Sequence, residues 1–136
     1  MTNGTTGATR LIWPSLGNFY SSFFEIAYAI MRVVMGYILF MHGWAKLGAG
    51  AAAVTASMAK NGLEPASAFA YAAIFLETVG AVCLAIGLFT RFFAAALAIE
   101  IAVAFLVVHF PKGFSASQGG FEYVLLIGIE IGRAHV

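Results

Sequence analysis

Four long apolar stretches, 25–47, 66–88, 91–110 and 121–136, make up most of this 136-residue chain. Runs of roughly 18 or more apolar residues read as membrane-crossing helices. At 1.5 Å per residue the first three reach about 30–34 Å, enough for the hydrocarbon core, and the fourth about 24 Å. The chain is 62% hydrophobic and 10% charged, where a soluble domain carries about 25% charge. Mean hydropathy is +0.93. The expected fold class is therefore all-α: an integral membrane four-helix bundle, preceded by an N-terminal interfacial segment. The division expected is 1–24 for a tail and lead-in and 25–136 for the bundle.

Three of these stretches each hold an acid near the middle: Glu77, Glu100 and Glu130. A charge at the centre of a spanning helix costs roughly 2.5–3.5 kcal/mol on insertion scales. A chain that only had to sit in a membrane would use leucine there. The acids mark either the inside of a bundle, held by partners, or a working site.

Composition narrows the function classes. The net charge of +1 implies no polyanionic partner, and nucleic acid is not expected. Cys83 is the single cysteine, so neither an intrachain disulfide nor a thiolate cage can form. Asp is absent, and acidic chemistry rests on six Glu. The first 17 residues lack the basic start, apolar core and cleavage site of a signal peptide.

Residues 11–24 set Trp13, Phe19, Tyr20, Phe23 and Phe24 among Ser, Asn and Gly. Such aromatics favour the headgroup layer, which suggests a surface-lying lead-in. The loop 48–65 reads as a short interfacial helix stopped by Asn61-Gly62. A two-residue connection, Phe89-Thr90, makes spans two and three a tight hairpin, and the loop 111–120 reads as flexible. An even span number puts both termini on one side, with Arg10, Arg32, Arg91 and Arg133. Lys46, Lys60 and Lys112 fall on the other. Positive-inside counting leans towards cytoplasmic termini.

Helical periodicity sorts the intramembrane residues. Arg32, Gly36, Leu39, Gly43 and Lys46 form one stripe of span one, with His42 beside Lys46 at i, i+4. The two glycines permit close helix approach in lipid. Ala73, Glu77, Gly80, Leu84 and Gly87 form a stripe of span two. Phe93, Ala96, Glu100, Ala104 and Val107 do so in span three, and Glu122, Leu126, Glu130 and Arg133 in span four. Glu130 and Arg133 can neutralise each other at i, i+3. Arg32 lies within reach of Glu100 or Glu130. Glu122, His42 and Lys46 lie near the surface opposite the termini. His109 falls about 180° from Glu100 on an ideal helix and reads as a terminal interfacial residue. Neither a metal nor haem is expected.

Two readings stand side by side. In one, Arg32 pairs with a glutamate and the other acids are protonated and hydrogen-bonded between helices. In the other, at least one Glu exchanges protons with a lipophilic redox ligand or along a path.

The pattern Arg32-x3-Gly36-x3-Phe40-x-His42-Gly43-Trp44-x-Lys46-Leu47 resembles the first span of DoxX-like membrane proteins. Gly62-Leu63-x-Pro65, then Leu76-Glu77-x2-Gly80-x3-Leu84-x2-Gly87-Leu88-x-Thr90-Arg91, resemble the family's approach to span two, that span and its turn. His109-Phe110, Gly113-Phe114 and Gly120-x-Glu122 resemble its third loop and fourth helix. The resemblance covers about residues 25–131. It implies a four-helix membrane bundle of bacteria or archaea, and a small subunit of a quinone-linked oxidoreductase such as thiosulfate:quinone oxidoreductase. It carries over Arg32, His42, Lys46, Glu77, Glu100 and Glu122 as the candidate polar core. The expected arrangement has a quinone head near His42, Lys46 and Glu122 as ligand-binding residues with Arg32, and Glu77 and Glu100 as catalytic acids. Expected partners are the lipid bilayer and other membrane subunits, in a bacterial cytoplasmic membrane. The alternatives are a structural accessory subunit of a respiratory or photosynthetic complex, or a small proton-coupled transporter.

Overall fold

A computed structural model of the protein describes residues 17–133, with side chains from Phe23 to Ile131. Trp13, the Phe19 and Arg133 side chains and His135 lie outside what is described. All regular structure among the described residues is helical. α1 is Gly17–Ala49 and α2 is Ala51–Lys60. α3 is Ala66–Ile86 and α4 is Thr90–Lys112. α5 is Glu122–Arg133.

Among the described residues, Phe23–Ala49, Ala66–Ile86 and Thr90–Lys112 are long and apolar enough to cross a membrane. This is a membrane protein. α5, with 12 residues, is shorter than the fourth expected span. At 1.5 Å per residue it covers about 18 Å, less than the hydrocarbon core. α5 nevertheless contributes to the core. Met35 and Leu39 of α1, Ala81 and Leu84 of α3, Ala94, Leu97 and Ile101 of α4, and Ile127 and Ile131 of α5 form one buried cluster. Large apolar side chains such as Tyr37, Trp44, Phe92 and Ile99 point outward, as a lipid solvent permits.

The α1 stripe faces inward as its spacing requires. A Cβ on Gly36 would lie 2.7 Å from the Ala81 carbonyl oxygen, and one on Gly43 would lie 2.7 Å from the Glu77 carbonyl. α1 therefore lies against the α3 backbone at two levels, gaining dispersion contacts where lipid supplies no hydrophobic drive. Leu39 is buried between the two contacts.

The stripes of the last two helices are rotated from expectation. In α4 the buried face is Phe93, Ala94, Leu97 and Ile101, so Glu100 sits on its flank. In α5 Ile127 and Ile131 point inward while Leu126 is exposed. Each face turns by about 100°, one residue, because bulky aliphatic side chains fill the centre and leave the acid at its edge.

Connections follow their turn chemistry. α2 ends at Asn61, with Gly62 at φ +77°. Gly62 N–H donates to the Ala59 carbonyl and Leu63 N–H to that of Met58, closing a Schellman motif. α3 stops the same way at Gly87, φ +85°: Gly87 bonds back to Leu84 and Leu88 to Cys83. The hairpin turn is thus 87–89, two residues earlier than the composition suggests, and Thr90 already begins α4.

The third loop, expected to be flexible, is folded. It contains two 3₁₀ turns, Phe110–Lys112 and Ala116–Gln118. Gly120 N–H donates to Ser115 and Phe121 N–H to Gly113. Phe121 stacks at 5.7 Å on Phe110 and meets Phe105 and Phe114 edge-on at 5.2 and 5.5 Å.

Candidate functional site

The polar residues divide between the two ends of the bundle. At the loop end, Lys46 near the C-terminus of α1 reaches Glu77 in the middle of α3. Nζ lies 2.5 Å from Glu77 Oε2. The Glu77 side chain is 7% exposed and that of Lys46 29%, so the acid is inside and the ammonium at the rim. Oε2 meets the ammonium as an ion pair. A buried carboxylate with its cation removed is an uncompensated charge, which makes this contact costly to break.

Glu77 is delivered by a local widening of α3. Residues Leu76–Gly80 form a single π-helical turn. Such turns open the i→i−4 ladder and re-aim side chains, and they concentrate at functional positions. Gly43 accommodates the swelling, because its missing Cβ would strike the Glu77 carbonyl at 2.7 Å and the Thr78 methyl at 2.8 Å. Thr78 returns its hydroxyl to the Ile74 carbonyl at 2.5 Å. One glycine on α1 and one π-turn on α3 thus set the acid against Lys46.

Two chambers meet at this ion pair. The larger, about 370 Å³, lies towards the loops. Its wall includes His42 and Lys46 of α1, Ser57 and Asn61 of α2, Glu77 of α3, His109 of α4 and Tyr123 of α5. The smaller, about 210 Å³, lies between α3 and α4 and is lined by Phe69, Leu76, Ile99, Val103 and both Glu77 and Glu100. Lys46, Met58, Glu77, Ala104 and Val108 line both. Glu100 Oε2 is buried without a hydrogen-bond partner.

Both histidines of the larger chamber are anchored to the backbone through Nδ1. His42 Nδ1 lies 2.9 Å from the Ile38 carbonyl, and His109 Nδ1 lies 2.8 Å from the Gly119 carbonyl. A carbonyl only accepts, so each Nδ1 carries the proton and each Nε2 is the nitrogen left for a ligand. His109 arrives there through the second π-helical turn, Phe105–His109. That turn shifts the register by roughly one residue and undoes the opposition expected on an ideal helix.

The other expected residues lie elsewhere. Glu122 is exposed, and its Oε2 accepts from Ala116 N–H at 3.3 Å, holding the third loop. It does not line the larger chamber among the described residues. Arg32 sits at the opposite end of the bundle, in a separate cavity of about 180 Å³ with Tyr28, Met35, Leu84 and Glu130. Its guanidinium covers Gly87, where a Cβ would come within 3.1 Å of it, and lies 5.9 Å from the Tyr28 ring. A cation there complements the C-terminal end of α3. Glu100 lies with Lys46 and Glu77 and not with Arg32. The structure therefore brings together His42, Lys46 and Glu77 and adds His109, Asn61 and Tyr123. The Gly119-Gly120 pair after His109 was the available signal for His109, since a folded loop is what fixes its ring.

Among the described residues, no group of three or more His, Cys, Asp and Glu converges as a metal cage requires. A family model described as DoxX matches residues 27–110. That span contains Arg32, His42, Lys46, Glu77, Glu100 and His109, and leaves Glu122 outside. No curated protein and no solved structure matches the chain.

Proposed function

The chain belongs to the DoxX family of membrane proteins, and from that premise we propose that it is a small membrane subunit serving quinone-linked redox chemistry, of the thiosulfate:quinone oxidoreductase kind. The observation that carries the reading is the larger chamber, where His42, His109, Lys46 and Glu77 line one space at the end of an apolar bundle. The donor set suits a quinone head: its two ring oxygens need donors in one oxidation state and acceptors in the other. When bound, a quinone supplies a two-electron, two-proton carrier that is soluble in the bilayer.

The protein's own groups would divide the work. Lys46 presents N–H donors to a ring oxygen while Glu77 holds its charge. His42 and His109, with Nδ1 anchored to backbone carbonyls, accept or release a proton at Nε2. Glu77 is the proton acceptor behind the head position, and Glu100 is the second acid beyond it. Electrons come from a partner subunit or directly from substrate. The chain works in a bacterial cytoplasmic membrane, with the shorter α5 returning the chain to the Arg32 end of the bundle and the termini on the cytoplasmic side.

The test is the purified protein extracted for bound quinone and assayed for quinone reduction with thiosulfate. Quinone should copurify, and His42→Ala with His109→Ala should lower its occupancy by about tenfold, 1.4 kcal/mol. The reading is overturned if no quinone copurifies and Glu77→Gln leaves the parent complex fully active.

A further inference from the structure

We propose that the smaller chamber, between α3 and α4, is a binding site for a small lipophilic ammonium ion held by Glu100. The proposal rests on this chamber and not on the quinone reading. The space is about 210 Å³, below the roughly 300 Å³ at which drug-sized pockets begin. Its occupant is therefore small. Leu76 and Val103 make the inner wall apolar and the exposed Phe69 and Ile99 form its outward rim, so the occupant is lipophilic.

Charge decides its sign. Three charged side chains face the chamber: Lys46 from α1, Glu77 from α3 and Glu100 from α4. Met58, the contribution of α2, is uncharged. Lys46 and Glu77 are matched at 2.5 Å. Glu100 remains as the acid without a matched cation, its Oε2 buried and accepting no hydrogen bond. A buried carboxyl in that position either keeps its proton or meets a cation. A cation with an apolar surface satisfies Glu100 and the wall together. An anion of the same size would meet an acid it cannot neutralise.

The probe is benzyltrimethylammonium, titrated by equilibrium dialysis into the full chain in lipid nanodiscs. Saturable binding with one ion per chain is expected. Glu100→Gln should weaken it by roughly tenfold or more, while Glu100→Asp keeps it within a few-fold. Benzenesulfonate, of similar size and opposite charge, should bind at least about tenfold more weakly than the ammonium. Equal binding of the two ions, or unchanged binding in Glu100→Gln, overturns the proposal. If Glu100→Gln does not assemble, Ala96→Leu decides. It fills the chamber wall without altering charge, so loss of binding supports the site and retention refutes it.

Discussion

Lys46 and Glu77 show how a membrane helix carries an acid at its middle. The carboxylate is 5% exposed as a residue, and its cation comes from a neighbouring helix. Removing the cation alone should be severe. Lys46→Met should cost about 3–5 kcal/mol, because the acid is left buried and unmatched. Replacing both partners, Lys46→Met with Glu77→Leu, should restore most of that loss, since desolvation of the charges disappears along with their attraction. Unfolding of the two variants in micelles by SDS titration checks the ordering. A double variant no more stable than Lys46→Met would refute the pairing. Gly43 is the second critical residue. Gly43→Leu should separate α1 from the π-turn, because even a Cβ there sits 2.7 Å from the Glu77 backbone. Overpacking of this kind costs about 1–3 kcal/mol, and the same titration measures it.

At the scale of elements, helix ends are determined more sharply than helix faces. Gly87 closes α3 at φ +85° with Arg32 over it. Gly87→Ala should destabilise by about 1–2 kcal/mol from left-handed strain, plus displacement of the guanidinium 3.1 Å away. Thermal unfolding of this variant beside Gly48→Ala, where nothing lies within 4 Å, isolates the effect. The glycine signals, Asn61-Gly62 and Gly87, were readable in the sequence because left-handed backbone selects for them. The α1 stripe was readable because a continuous helix keeps its period. The faces of α4 and α5 were not. Glu100 sits about 60° from Leu97 and about 100° from Ile101 on the helix, and only the volume of the assembled core chooses between them. The two π-turns leave no periodic mark, since one widened turn rotates every later residue of its helix without altering composition. The second π-turn carries His109 to the wall of the larger chamber, and the folded third loop engages Glu122.

For the whole molecule, α2 and the third loop line the same chamber as the loop-side end of α1. The 87–89 turn lies at the other end, under Arg32. Sided labelling checks this polarity. In a Cys83→Ser background, cysteines at Ser57 and Ser117 should react from one face of the membrane, and one at Leu88 from the other. Labelling of Ser57 and Leu88 positions from the same face would overturn the arrangement. Outward-facing Tyr37, Trp44 and Phe92 give the bundle a lipid-ready surface.

The wall shared by the two chambers has a thermodynamic consequence. Lys46 and Glu77 border both spaces. Any guest that draws the ammonium towards one side alters the field felt on the other. Linkage makes that influence mutual: whatever factor the first guest imposes on the affinity of the second, the second imposes on the first. With guests in both spaces, the ion pair would be the point at which occupancy at the mouth of the bundle is felt near its centre, without any helix having to move.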